Sequence, residues 1–283
     1  MGALQFSVRR MHREEIDLAV EWAHEEGWNP GLYDAGVFYQ TDPSGFWAGE
    51  LDGEIISMMS GVSYDSSYGF TGLYITHPEY RGQGFGGKLL ETVHDQMGTR
   101  ILGSDAVGEA RRVLERGGYV AAHPDVRHEG VTQRFGPIDP HVVNLKHIPF
   151  ERLDDYDQET FAARRTRFLR GWITRPGTTG AGYYLDGKMQ GYGVIRPCRV
   201  GWKIGPLFAN NEQVAEKLFE ALASHVPPGE PLFLDVPEPN ERAVVLARRY
   251  DMDPVFETVR MYRNGKHEPP LDRWWGVTST ELG

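Results

Sequence analysis

The chain has 283 residues, 40% of them hydrophobic and 25% charged, which is an ordinary globular composition. A net charge of −10 repels phosphate backbones, so nucleic acid is not an expected partner. A single cysteine, Cys198, excludes an intrachain disulfide and any paired-cysteine metal site.

Met1 to Arg10 lacks the apolar stretch of a secretory leader. No apolar run approaches the roughly 18–20 residues that cross a bilayer. These features predict a cytoplasmic protein without a membrane partner. At roughly 100–200 residues per domain, the length fits one large or two modest domains.

In chain order, Phe6 to Met11 reads as a strand. Arg13 to His24 carries Ile16, Ala19, Val20 and Ala23 at helical spacing. A second helix is predicted over Pro30 to Tyr39. Phe46 to Glu50 and Glu54 to Tyr64 read as strands joined by Asp52-Gly53, a pair suited to a two-residue hairpin turn. Phe70 to Thr76 is a further strand, followed by a glycine-rich loop and a helix with Leu89, Leu90, Val93 and Met97 on one face. Arg100 to Asp105 reads as a strand and Glu109 to Arg116 as a helix. A closing hairpin is expected from Tyr119 to Phe135.

Gly136-Pro137-Ile138-Asp139-Pro140 reads as the start of a linker. After it the order partly recurs. Leu185-Asp186-Gly187 echoes Leu51-Asp52-Gly53. Leu232 to Asp235, ahead of a helix over Asn240 to Arg249, echoes Leu102 to Asp105. Ile204 to Phe208, followed by Glu212 to Leu222, repeats the strand–helix step without the glycine loop. Two divergent copies of one α+β fold are expected: a first domain over 1–136, a linker over 137–145 and a second domain over 146–283.

The chemistry concentrates in Arg81-Gly82-Gln83-Gly84-Phe85-Gly86-Gly87-Lys88, where a strand leads through glycines into a helix. The first helical turn has unpaired N–H groups and a partial positive charge. Glycines let the backbone close around an anion, so the loop suits a diphosphate, with Arg81 and Lys88 at the rim. Gly82, Gly84 and Gly87 match the dinucleotide pattern, but five residues separate them from the strand, where that fold allows none. A P-loop is excluded because no Gly-Lys-Ser/Thr follows. The ten histidines show no metal-binding spacing, and no metal is expected.

The segment His77-Pro78-Glu79-Tyr80-Arg81-Gly82-Gln83-Gly84-Phe85-Gly86 resembles the pyrophosphate loop of the GNAT acetyltransferases. Glu26-Gly27-Trp28-Asn29-Pro30-Gly31 resembles a segment of one GNAT subgroup. Ile204 to Phe208, Leu234 to Pro237 with Asn240, Arg260 to Tyr262 and Thr280 to Gly283 resemble its degenerate second domain. The resemblance implies an α+β fold of two tandem GNAT-like domains, each a central mixed, mostly antiparallel sheet flanked by helices.

It also implies acetyl-CoA as cosubstrate, a small-molecule primary amine as acceptor, and a monomer or homodimer. A bulge would splay the strand before the loop, and the cofactor arm would pair with Leu73 to Thr76, including Ile75. The amine would attack the thioester directly, with an N–H of Ile75 or Thr76 on the developing oxyanion. Asp105 and Glu26 are the expected bases. Trp28, Asn29, Asp235, Asn240 and Glu281 are the expected acceptor contacts, the last three in a cleft between the copies. The family's tyrosine that protonates the thiolate aligns with Leu114, and with Ala247 in the second copy. Tyr74 and Tyr119 are the substitutes in reach. That departure motivates the alternative of a CoA-binding regulatory or sensor pseudoenzyme without turnover.

Overall fold

The computed structural model describes residues 5–161 and 163–283. Met1–Leu4, part of the segment read for a leader, lie outside the described residues. No helix among the described residues is long and apolar enough to cross a membrane. The chain forms two compact units. The first comprises residues up to Ala122 together with Arg260–His267 and Thr280–Gly283. The second comprises His123–Val259 and Glu268–Ser279.

The first unit runs β1 (Phe6–Arg10), α1 (Glu15–Glu25), α2 (Asp34–Thr41), β2 (Phe46–Leu51), β3 (Glu54–Ser63), β4 (Tyr68–Thr76), α3 (Phe85–Met97), β5 (Ile101–Ala106) and α4 (Gly108–Arg116). The first four strands pair antiparallel in sequence order, and β4 pairs parallel with β5. A parallel pair requires a crossover, which α3 supplies. The predicted apolar face of α1 is the buried one: Ile16 and Ala19 are fully enclosed. The turn after β2 has Asp52 at φ 52° and Gly53 at φ 89°, the two positive values a type I′ turn needs.

The second helix starts later than predicted. Asn29 takes φ 50°, and the buried Asp34 carboxylate accepts the N–H of Gly31 at 2.9 Å. A Cβ on Gly31 would stand 2.5 Å from that carboxylate, so glycine is required there. Asn29-Pro30-Gly31 is thereby a turn pinned from the first residue of α2, not part of the helix.

The second unit runs from β6 (Val120–Val131, from His123 on) through β7 (Val142–Asn144), α5 (Phe150–Phe161), α6 (Thr166–Thr174), β8 (Thr179–Leu185), β9 (Lys188–Pro197), β10 (Trp202–Ala209), α7 (Glu212–Ala223), β11 (Pro231–Pro237), α8 (Glu241–Arg249), β12 (Asp253–Arg263, up to Val259) and β13 (Trp274–Gly276). Here β10 and β11 form the parallel pair and α7 the crossover, as β4, α3 and β5 do in the first unit. Asp186 at φ 52° and Gly187 at φ 73° repeat the type I′ turn. The core packs Leu218, Leu222, Ile204, Leu234, Leu246 and Trp275 between sheet and helices.

One expectation is corrected. The hairpin over Tyr119 to Phe135 is absent: β6 is one twelve-residue strand whose residues 125–131 pair antiparallel with β11. A hairpin needs a turn with its own φ values, and no residue between 119 and 135 takes positive φ. The first compact unit ends at Ala122 and is completed by residues 260–267 and 280–283, while β7 and its neighbours, read as linker, belong to the second.

Candidate functional site

β4 leaves its parallel neighbour before it ends. The β4–β5 register closes at Thr71↔Ser104, yet β4 runs on to Thr76 and β5 to Ala106. The cause is a bulge. Between Ser60↔Gly72 and Met58↔Ile75, two residues of β4 stand opposite Met59 alone. One of them, Leu73, takes φ 48°, a strained value for a branched side chain. From Gly72 to Thr76 the side of β4 that faced β5 is a strand edge beyond the β4–β5 pairing, and Leu73 and Ile75 are buried along it.

The glycine loop lies just past the Thr76 end of this edge. Gly82 (φ 75°) and Gly84 (φ 88°) hold left-handed conformations, and Gly84 is the N-cap of α3. Nothing lies within 4 Å of a Cβ placed on Gly82, Gly84 or Gly87, so the loop opens on free space. Gly86 is different: a Cβ there would be 2.7 Å from the Tyr74 hydroxyl and 2.9 Å from Thr76 Oγ1. It lets the first turn of α3 sit directly on β4. Gln83 Nε2 donates to the Glu79 carbonyl at 2.9 Å, and Arg81 Nε to the Thr76 carbonyl at 2.8 Å. Phe85 packs on Phe6 at 5.0 Å between ring centres, with the Lys88 ammonium 5.6 Å above the Phe6 ring. The result is an exposed helix N-terminus with orphan N–H groups, two cations at its rim and no side chain inside, a shape that fits a diphosphate.

The second unit has the same slot and fills it with its own chain. The β10–β11 register also stops at a bulge, at Ile204↔Leu234, where Gly205 and Pro206 stand opposite Val194. Beyond it, β13 pairs with β10 through Leu207↔Gly276 and Phe208↔Trp274, and the Val277 N–H donates to the Asp235 carbonyl. Asn211 caps α7 by accepting the Val214 N–H, where the first unit has a bare glycine. Slot and helix terminus are thus both occupied by protein.

At the closed end of the first slot a buried hydrogen-bond chain runs beneath β4. Thr71 Oγ1 donates to the Gly103 carbonyl at 3.2 Å and lies 2.8 Å from the Tyr119 hydroxyl, which lies 3.3 Å from His94 Nε2. Burial raises the Tyr119 pKa, so the hydroxyl stays protonated. Burial, with help from Arg263, pushes His94 down to about 4. The unfolded chain therefore takes up a proton near pH 6.5 that the folded chain refuses until about 4. Stability contributed by neutral His94 is complete above 6.5 and is lost as pH falls from there to about 4. Urea midpoints measured across this window should fall less steeply in His94→Gln than in the parent.

The predicted site residues divide clearly. Leu73 to Thr76 and Arg81 to Lys88 are brought together as one edge and one loop. Tyr74 is half-buried, its hydroxyl against Gly86 and its pKa pushed up to about 12 by burial. Glu26 is not a free base: it is paired with Arg81 and steadies the loop. Asp105 is not one either. Arg260 holds its carboxylate at 2.5 and 2.9 Å with both side chains buried. Such a pair commits the carboxylate lone pairs to the guanidinium.

Asn29 serves the turn described above, and Trp28 directly precedes it, its N–H donated to the Ala23 carbonyl. Asp235 is buried against Arg127 at 2.6 and 2.9 Å, directly across from it on β6, with Lys203 at 3.8 Å. Burial alone would raise its pKa, but Arg127 and Lys203 outweigh this and hold it below the usual carboxylate range. Asn240 caps α8 and donates to the Trp274 carbonyl at 2.9 Å. Glu281 is buried in the first unit, its backbone against Gly72. Among the described residues, no group of three or more acidic, cysteine or histidine side chains could hold a metal.

Sequence reasoning passed over Gly72, Thr71 and His94, and took Arg260 only as part of a resembling segment, not as the partner of Asp105. Gly72 carried a signal, since glycine inside a strand marks a close backbone approach. Arg260 carried none, being 155 residues from its partner.

Comparison with known proteins agrees with this geometry. Residues 12–114 match the Acetyltransferase (GNAT) family, and residues 153–273 match an Acetyltransferase (GNAT) domain. Holothin acyltransferase of a Pseudoalteromonas strain is 27% identical over 270 residues, covering 95% of this chain and 92% of that protein. A Pyrococcus horikoshii structure, solved as a candidate acetyltransferase, superposes with a TM-score of 0.84 at 20% identity, covering 98% and 96% of the two chains. A tandem GNAT protein of the clavulanic acid pathway gives 0.65 at 15% identity, over 93% and 100%. The structural likenesses speak for the fold. With a GNAT match in each half and a tandem GNAT fold, the chain belongs to the GNAT family of acyltransferases.

Proposed function

We propose that the chain transfers an acetyl group from CoA to the primary amine of a small molecule. The observation that carries this reading is the free edge of β4 ending at an open glycine loop on the N-terminus of α3. The N–H groups of Gly82 to Gly87, with Arg81 and Lys88, would hold the diphosphate, and Leu73 to Thr76 would pair with the arm. CoA supplies the acyl group as a thioester open to attack by an amine. Because the second unit fills its own slot with β13, one CoA per chain is expected.

The chain's own groups divide the proton work. An alkyl ammonium has a pKa near about 10.4 and must lose a proton before it attacks. Asp105 and Glu26 are both held by arginines, so water admitted to the slot is assigned that proton. Tyr119, protonated and hydrogen-bonded to Thr71 at the closed end, is assigned the proton returned to sulfur. It takes the place of the tyrosine that Leu114, a buried core residue, does not provide.

Acetyl-CoA titrated by calorimetry should bind at one site per chain. Thiol release should then be followed with a panel of amines. Holothin, for which the 27% identical relative is named, comes first, followed by amino acids and amino sugars. Tyr119→Phe should lower turnover about a hundredfold, the low end for a positioned proton donor, and leave acetyl-CoA affinity unchanged. Binding without turnover on any amine would favour a CoA-sensing role; no binding would remove the acyltransferase assignment.

A further inference from the structure

The closed end of the first slot is sealed on both faces. Gly69 and Gly72 of β4 are three residues apart and so face opposite ways. A Cβ on Gly69 would run into Met97 of α3, so α3 covers that face, where the Thr71–Tyr119–His94 chain also lies. A Cβ on Gly72 would fall on the carbonyl oxygen of Glu281, 2.9 Å from its carbon and 3.2 Å from its Cα. Backbone therefore lies on backbone at the residue where β4 and β5 part. The segment is fixed there: the Tyr64 hydroxyl donates to the Leu282 carbonyl at 2.6 Å, and Glu281 and Leu282 are 1% and 0% exposed.

The direction of the slot gives this contact a meaning. The glycine loop lies past Thr76, and the edge runs back from Thr76 to Gly72. A ligand seated by its diphosphate in the loop and extended along the edge therefore brings its far end to Gly72. If the ligand is an acyl-CoA, as in the reading above, on which this inference rests, that far end is the acyl group. We propose that Thr280–Leu282, packed on Gly72 and latched by Tyr64, forms the floor of the acyl pocket and restricts the donor to short acyl chains. Gly72 is then glycine because any side chain would lift the floor.

The test is binding, read without turnover. CoA, acetyl-CoA, butyryl-CoA, hexanoyl-CoA and octanoyl-CoA are titrated by calorimetry into the whole chain. CoA and acetyl-CoA should bind with similar affinity, and hexanoyl-CoA at least about tenfold more weakly, since an excluded methylene typically costs a factor of 10 or more. Tyr64→Phe, which removes one hydroxyl, and Leu282→Ala should each narrow the hexanoyl penalty severalfold without changing the affinity for CoA. Hydrogen exchange at residues 280–282 should be faster in both variants. Tyr64→Phe guards against a folding defect in the harsher change. Hexanoyl-CoA binding as tightly as acetyl-CoA, or a penalty unchanged in both variants, would overturn the floor while leaving the acyltransferase reading intact. Failure of CoA itself to bind would instead strike the reading on which it rests.

Discussion

Arg260→Met should destabilise the first unit by about 3–5 kcal/mol, the usual loss when one partner of a buried ion pair is removed. Arg260 is fully enclosed, its guanidinium bidentate to Asp105 and 5.1 Å above the Phe70 ring. Removing it strands a carboxylate with no exposed surface. The double variant Asp105→Leu/Arg260→Met should recover much of the loss, because apolar replacement of a whole buried pair is often neutral. Urea unfolding followed by tryptophan fluorescence, with the four members of the cycle side by side, measures the coupling. The same cycle decides what Asp105 does. A positioning carboxylate predicts that Asp105→Asn weakens the fold and lowers turnover only in proportion to the folded fraction. A fully stable Asp105→Asn protein that binds acetyl-CoA and has no turnover would make Asp105 the base after all.

This pair marks the boundary of what the sequence discloses. Features written into a few consecutive residues were legible. Asp52-Gly53 and Asp186-Gly187 specify the same turn because both need two positive φ values in a row. The loop from Arg81 to Lys88 could be read because its function lies in backbone N–H groups that a run of glycines exposes. The apolar faces of α1 and α3 follow from spacing alone. What depends on pairing across long separations was not legible. Asp105 ends its strand in the position expected of a base, and only Arg260, far along the chain, shows that its oxygens are already engaged. Asp235 is likewise claimed by Arg127 across the sheet, and Glu26 by Arg81 across a loop. The hairpin expected after Tyr119 failed for a related reason. Alternation of residue types fixes that a segment is extended, but not which strand it joins.

The second unit keeps the fold while its slot is filled by its own chain. The bulge, the parallel pair and the crossover helix are all retained. β13 supplies to β10 the hydrogen bonds that a bound arm would otherwise make, and Trp275 fills the core behind it. A strand edge left bare is open to pairing with any extended chain, so a slot without its ligand is best covered. The first unit keeps its edge free and its helix N-terminus uncapped by any side chain, two liabilities that make sense only if something binds there.

That asymmetry makes the glycine loop the place where a single side chain should have its largest effect on binding. Gly84 and Gly86 should fail for different reasons. At Gly84 there is room, but φ is 88° and the residue is the N-cap of α3. An aspartate there would carry roughly 1–2 kcal/mol of backbone strain, partly offset because its carboxylate accepts the orphan N–H groups of the helix. The protein should therefore stay folded while its own carboxylate occupies the seat of the diphosphate. Losing two or three charge-assisted hydrogen bonds at about 1.5–3 kcal/mol each should weaken acetyl-CoA binding more than a hundredfold.

At Gly86 even alanine is too large, since its Cβ would press on Tyr74 and Thr76 at 2.7 and 2.9 Å. Gly86→Ala should lose binding together with about 1–3 kcal/mol of stability, as overpacked positions do. Lys88→Ala, which removes only a rim charge, should weaken binding severalfold and flatten its salt dependence. Calorimetry at two ionic strengths, paired with urea unfolding of each variant, separates the three behaviours. Gly84→Asp protein that is folded and binds acetyl-CoA like the parent would mean that the diphosphate does not sit on α3. The free edge of β4 would then need another ligand to explain it.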